Sequence, residues 1–218
     1  TPPPPDYYPS TTPTGSAYGG YASKIKNEEI DWIINNIISY NVTLATDHKI
    51  NATLLYSREH RKGESMNIDA QGFDNEILGY NAVQLAKVIT ASSGAWEENS
   101  LSYMARANYS FKNKYMVTGT IRRDGFSGFG ANKKFATFPS LSLGWVVSEE
   151  SFFKNQKWID FLKLRASIGV NGNQGIGRYS SFSKMSNTGY VYNTTSIIGV
   201  YPSSLGNSDL GWESTVSY

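Results

Sequence analysis

The 218-residue sequence contains no cysteine. That excludes a disulfide scaffold, a cysteine-ligated zinc ribbon, a c-type haem site and a thiol enzyme, all of which need the thiol. It has no apolar run approaching the roughly 18 residues of a membrane-crossing helix. Charge is sparse: charged residues make up 17% of the chain, below the usual quarter of a soluble domain. Lys and Arg number 20 against 18 Asp and Glu, so the net charge is only +2, which speaks against a dedicated nucleic-acid binder. Histidine is nearly missing, with His48 in a tight turn and His60 in a connection. No paired carboxylates, metal-ligand spacing or G-x-S-x-G elbow is present, so the sequence offers no catalytic residue, no metal site and no cofactor-binding motif. What is abundant is aromatic residues, at 14%, and glycine, at 20 positions.

The first 23 residues are rich in Pro, Thr, Ser, Gly and Tyr, and Pro2-Pro3-Pro4-Pro5 favours polyproline II. They have neither the basic start nor the apolar centre of a signal peptide, and there is no initiator Met, so the expectation is a segment internal to a longer or processed protein. From Asn36 onward the chain alternates with period 2, the signature of half-buried strands. Ile38, Tyr40, Val42 and Leu44 oppose Ser39, Asn41 and Thr43; Ile50, Ala52, Leu54 and Tyr56 oppose Asn51 and Thr53. The same pattern fills Leu101–Phe111, Tyr115–Arg122, Phe138–Val147 and Leu162–Val170, and a seventh strand begins at Trp212.

The connections alternate in length. Asp47-His48 and Lys112-Asn113-Lys114 are tight, and Ser148–Phe161 is a turn with short helical pieces that Ser148 would N-cap. The stretches 59–100, 124–137 and 171–211 are long. In an up-and-down antiparallel sheet this places every tight turn at one end and every long loop at the other. Alternation alone fits a soluble β-sandwich and a membrane barrel about equally. The loop rhythm favours the barrel, with short periplasmic turns and long extracellular loops, and so do aromatics near the strand ends, which suit interfacial girdles. Seven strands with open edges cannot span a bilayer alone, because every amide in the hydrocarbon needs a partner. The fold expected is therefore all-β: about seven strands of a larger closed antiparallel barrel.

An ordered set of motifs carries a specific likeness. It runs from Tyr103-Met104-Ala105-Arg106-Ala107-Asn108-Tyr109 through Thr120-Ile121-Arg122-Arg123-Asp124-Gly125, Phe129-Gly130 and Thr137-Phe138-Pro139-Ser140. Ser142-Leu143-Gly144-Trp145, Leu162-Lys163-Leu164-Arg165-Ala166-Ser167, Asn171-Gly172-Asn173-Gln174 and Leu205-Gly206-Asn207-Ser208-Asp209-Leu210-Gly211-Trp212-Glu213 follow. This set resembles the SusC/RagA family of TonB-linked outer-membrane transporters of Bacteroidota, over roughly residues 36–218. The resemblance implies a multi-pass barrel in the bacterial outer membrane, in contact with outer-membrane lipid and importing oligosaccharides or peptides. A SusD-like surface lipoprotein would lid it, and the TonB complex would drive it through a plug region. Plug and barrel terminus lie outside this chain on that view, residues 1–35 form an extracellular loop, and 36–218 are partial barrel, about a third of a 22-strand wall. The resemblance implies no enzyme, no cofactor and no nucleic-acid partner. The remaining alternative is a soluble β-sandwich that binds carbohydrate.

Sugars stack on aromatic rings, and Tyr adds a hydroxyl for hydrogen bonding. Phe73 and Trp96 in the connection after the second strand, and Tyr179, Phe182, Tyr190, Tyr192 and Tyr201 in the one after the sixth, are the candidates for substrate or lid contact. Arg122-Arg123-Asp124-Gly125 reads as the start of a turn with an internal Arg–Asp pair. Asn171–Gly177 reads as a Gly-rich loop and not a phosphate loop, since no strand-to-helix context surrounds it. Leu78–Thr90 has spacing suited to a short amphipathic helix.

Overall fold

A computed structural model describes residues 7–9, 20–74, 77–153, 158–193 and 195–218. The described residues are mostly strand: β1 Tyr7–Pro9, β2 Gly20–Leu44, β3 His48–Phe73, β4 Ala86–Phe111, β5 Tyr115–Phe126, β6 Phe135–Val146, β7 Lys163–Asn173, β8 Lys184–Tyr192, β9 Thr195–Ser204 and β10 Glu213–Ser217. Eight of these form one sheet in the order β1-β2-β3-β4-β5-β6-β7-β10, while β8 and β9 pair only with each other. The order follows the sequence apart from the excursion to that hairpin, as an up-and-down wall requires.

Two compact units divide the chain: residues 1–32 with 61–97, and residues 33–60 with 98–218. The second holds the seven strands the alternation outlines. Toward the tight turns their register puts apolar residues of one face opposite one another. Phe111 pairs with Tyr115, Tyr115 with Trp145 and Trp145 with Leu164; Tyr109 pairs with Val117, Val117 with Leu143 and Leu143 with Ala166. The opposite face is polar. Asn51 hydrogen-bonds to Asn41, Asn108 Nδ2 donates to Asn51 at 2.9 Å, and Thr118 Oγ1 donates to Asn108 at 2.9 Å. Thr118 then pairs with Ser142, and Ser142 with Ser167. An amide and hydroxyl ladder thus crosses six strands without a buried orphan.

Aromatics close both ends of the apolar band. At the tight-turn end, His48 Nδ1 lies 2.7 Å from Tyr109 Oη and its ring centroid 4.8 Å from Phe111. Phe111 and Tyr115 stack at 6.3 Å. At the loop end, Tyr56 and Tyr103 meet at 5.5 Å. Eight residues separate Tyr103 from Phe111 on β4, or about 27 Å at about 3.4 Å per residue. A tilt of about 40° reduces this to a height of about 20 Å, close to the roughly 25 Å apolar band of an outer-membrane barrel.

The tight turns are knitted to each other. Ala45 and Thr46, then Lys112 and Asn113, have positive φ of 48° to 60°, the paired left-handed geometry that suits a narrow hairpin. The first turn therefore falls at 45–47, just ahead of the Asp47-His48 expected, and His48 begins β3 and joins the aromatic row. Lys112 N donates to Asp47 O at 2.7 Å, and Val146 N to Lys114 O at 2.8 Å. Below them Glu150 accepts from Tyr115 Oη at 2.5 Å and Trp145 Nε1 at 3.1 Å, with Lys114 Nζ at 3.6 Å. The Tyr115 hydrogen bond first, then that of Trp145 and the Lys114 charge, hold the Glu150 carboxyl below its ordinary range. Ser148 lies inside a short 3-10 segment, Val147–Glu149, and does not N-cap it.

The strands are longer than the alternation suggests. β2 begins at Gly20, so residues 20–35, expected as loop, are strand; Thr1–Asp6 and Ser10–Gly19 lie outside the described residues. Lys26 pairs with Glu28 at 3.1 Å, and Arg61 with Glu29 at 2.9 Å and Asp31 at 3.2 Å. Charges on this stretch erase the apolar/polar period without preventing pairing. Likewise 59–73 and 86–100, expected as connection, extend β3 and β4, leaving a connection of 74–85. The helix expected at 78–90 is a 3-10 segment, Gly79–Leu85, interrupted at Ala82, and β4 starts at Ala86.

Candidate functional site

On the polar face of the second unit the strands leave a cleft of about 600 Å³. It is lined by Glu59 of β3, Ser102 and Arg106 of β4, Thr120, Arg122 and Asp124 of β5, Phe138 and Ser140 of β6, Asn171 and Asn173 of β7, and Trp212. Period 2 puts them there: Ser102 faces Asp124, Arg106 faces Thr120, and Thr120 faces Ser140. Arg122 Nε lies 2.8 Å from each oxygen of Asp124, and Nη2 reaches Ser102 Oγ at 3.2 Å. The internal Arg–Asp pair expected from the sequence is present. It sits inside β5, which continues to Phe126, and not in a turn. Arg106 Nε donates to Thr120 Oγ1 at 3.3 Å, and Asn173 Nδ2 to Glu213 at 3.1 Å. Donors and acceptors at this density, bordered by rings, offer hydrogen-bonding and stacking groups on one face. No nucleophile–base pair is among them.

Trp212 closes one side. Its ring lies 5.4 Å from Phe138, edge to face, and 5.1 Å from Phe129, which in turn meets Phe126 at 5.4 Å. The indole Nε1 donates to Lys134 O at 3.1 Å. Three loops are sewn together around this stack. Gly130 N donates to Leu210 O at 2.8 Å, Ser181 Oγ to Gly128 O at 3.0 Å, and Gly206 N to Ser183 Oγ at 3.0 Å. At Gly130 a Cβ would lie 2.0 Å from Ser208 O, so only glycine permits the approach. The separate motifs Phe129-Gly130 and Leu205–Glu213 are thus two sides of one joint.

The aromatic candidates divide. Phe73 ends β3 and is 5% exposed, packed with Ala22 and Ala70 in the small core of the first unit. It lies at the end of a strand in that core and not, as expected from the sequence, in a connection. Trp96 lies within β4 and not in a loop; its indole covers Gly63, where a Cβ would lie 2.4 Å from Nε1, and Arg61 stands 5.9 Å from the ring. Tyr179 and Phe182 adjoin at 6.4 Å in a turn and are 40% and 55% exposed. Tyr190, Tyr192 and Tyr201 share one face of the β8–β9 hairpin, where Tyr190 pairs with Ile197 and Tyr201 with Ser186. The structure brings these last three onto one exposed face. The cleft residues Arg106, Phe138 and Trp212 were missed as a site. Their signal was the polar phase of the alternation, which shows a face but not which positions on it converge.

No protein-family model matches the chain. Among curated proteins, TonB-dependent receptor P39 of Formosa agariphila is 38% identical over 190 residues, covering 87% of this chain and 18% of that protein. TonB-dependent receptor SusC of Bacteroides thetaiotaomicron is 30% identical over 210 residues, covering 94% of this chain and 20% of its own. Among solved structures, the RagAB peptide transporter superposes with a TM-score of 0.81 at 23% identity, covering 89% of this chain and 22% of that one. By sequence and by fold, the chain is a SusC/RagA-like barrel segment. It spans about a fifth of the length of the curated relatives it matches. Its two-faced sheet, apolar with aromatic borders on one side and polar on the other, has the pattern of a barrel wall.

Proposed function

We propose that this segment is part of the wall of an outer-membrane, TonB-dependent importer of oligosaccharides or peptides, working with a SusD-like surface lipoprotein. The single observation that carries this reading is the two-faced sheet, apolar between aromatic rows about 20 Å apart in height and polar on its other side. The relatives' names support it: they are TonB-dependent receptors, one of them SusC. The wall residues make no covalent chemistry. The cleft at Arg122, Asn171, Asn173 and Trp212 contacts passing cargo, and its mix of rings, amides and a guanidinium suits hydroxyl-rich or amide-rich oligomers alike. Tyr179, Phe182 and the Tyr190–Tyr192–Tyr201 face, with Trp96, meet cargo or lid. TonB contact and plug belong to other parts of the protein.

The test is cargo uptake by cells whose only copy of the whole protein carries Arg122→Ala with Trp212→Ala. We expect normal amounts of folded barrel in the outer membrane and uptake of labelled oligomer reduced about tenfold, as when two polar or stacking contacts are lost. Unchanged uptake removes the cleft from the pathway. Recovery of the whole protein as a folded species without detergent removes the barrel reading itself.

A further inference from the structure

Alternation splits the run Arg122-Arg123-Asp124 between the two faces. Arg122 and Asp124 turn to the polar cleft. Arg123 turns to the apolar face, opposite Tyr103 of β4 and Thr137 of β6. A cation on a lipid-facing surface is costly at the bilayer midplane and costs little near the interface. Arg123 stands in the row of Tyr103, at the loop-end border of the apolar band, where that cost is least. Its guanidinium carbon lies 5.2 Å from the Phe135 ring centroid. Phe135 in turn lies flat across Gly125, where a Cβ would come within 2.3 Å of the ring. The glycine thus admits the ring, and the ring seats the arginine. Among the described residues no carboxylate pairs with Arg123.

Next to this cation, on the same face, lies a groove of about 550 Å³. Ile38, Leu54, Tyr56, Tyr103 and Ile121 line it together with the small side chain of Ala105. Two residues past Tyr56 on β3, Arg58 falls on this face as well. An apolar trough bordered by two phenols and ending at a seated guanidinium is complementary to an acyl chain that terminates in an anionic head. Guanidinium is the side chain whose planar fork best matches phosphate oxygens.

We propose that this groove is a binding site for a phosphorylated acyl lipid of the outer leaflet, with one chain lying over Ala105 and the phosphate against Arg123. The inference rests on the barrel reading above, which makes this face the lipid-facing one.

The test uses the whole protein extracted from its own membrane in mild detergent, with bound lipid counted by native mass spectrometry. Wild type should retain one phosphorylated acyl lipid. Arg123→Gln should lower retention about tenfold, the loss expected for one charge-assisted contact. Ala105→Trp, which fills the groove and leaves the arginine in place, should lower it as well. Heat-modifiable migration on gels checks that each variant is a folded barrel. Equal retention by wild type and both folded variants overturns the site. So does displacement of the lipid by millimolar inorganic phosphate with the groove filled or open, since that would mark a free-phosphate site. Neither result touches the barrel reading, which fails only if the protein folds without detergent.

Discussion

Single residues decide how the loops and turns of this segment hold. Gly130 lets the chain pass against Ser208, and a methyl group there would have to push the 205–212 strand of loop away. Gly130→Ala should therefore destabilise the segment by about 1–3 kcal/mol, the usual cost of overpacking. The readout is a lower melting temperature of the purified barrel, together with faster proteolysis near Ser208. Glu150 acts at the opposite end. Its carboxyl is held below the ordinary range by Tyr115 and Trp145, so the bonded form contributes stability above the unfolded value, and that contribution is lost as pH falls through the folded one. Melting temperature should fall as the pH is lowered from about 5 through and below the ordinary carboxylate range. In Glu150→Gln it should start lower at neutral pH and depend less on pH over the same range.

At the scale of elements, the seven wall strands were legible because one face must be apolar and the other is not. Tyr103, Ala105, Ala107, Tyr109 and Phe111 announce β4, and the register confirms that they share a face. The outer stretches were not legible. Residues 24–35 carry Lys24, Lys26, Glu28, Glu29 and Asp31 among Ile30, Trp32, Ile33 and Ile34, and that mixture leaves no apolar/polar period to read. The β8–β9 hairpin was hidden for a related reason: Met185, Val191, Ile198 and Val200 on one face and Tyr190, Tyr192 and Tyr201 on the other make both faces apolar. The cleft was half legible. The Arg122–Asp124 pair and the Asn171–Gln174 amides were noticed as motifs, but their meeting with Trp212 depends on a loop joint between residues some 80 positions apart. Because β8 and β9 share no ladder with the wall, replacing residues 185–203 by a short Gly-Ser linker should leave the barrel assembled. Heat-modifiable gel migration would report assembly, and loss of the folded band would show that the hairpin is part of the wall's stability.

At the scale of the molecule, the sheet ends at β1 and β10 among the described residues, and in hydrocarbon each backbone group left unpaired at an edge would cost several kcal/mol. The segment can occupy a bilayer only within a closed barrel, in keeping with its covering about a fifth of its relatives' length. The central claim is that β5 and β6 present one face to lipid and the other to water. The chain has no cysteine, so a cysteine introduced into it for a spin label is unique within this segment. The most direct measurement is collision accessibility of labels placed one at a time at Val117, Ile121 and Leu143, and at Thr118, Thr120 and Ser142, in the whole protein in lipid bilayers. The first three should be reached by oxygen and shielded from a water-soluble nickel chelate, and the last three should show the reverse. Equal access of the chelate to both sets, or the opposite order, would contradict the account.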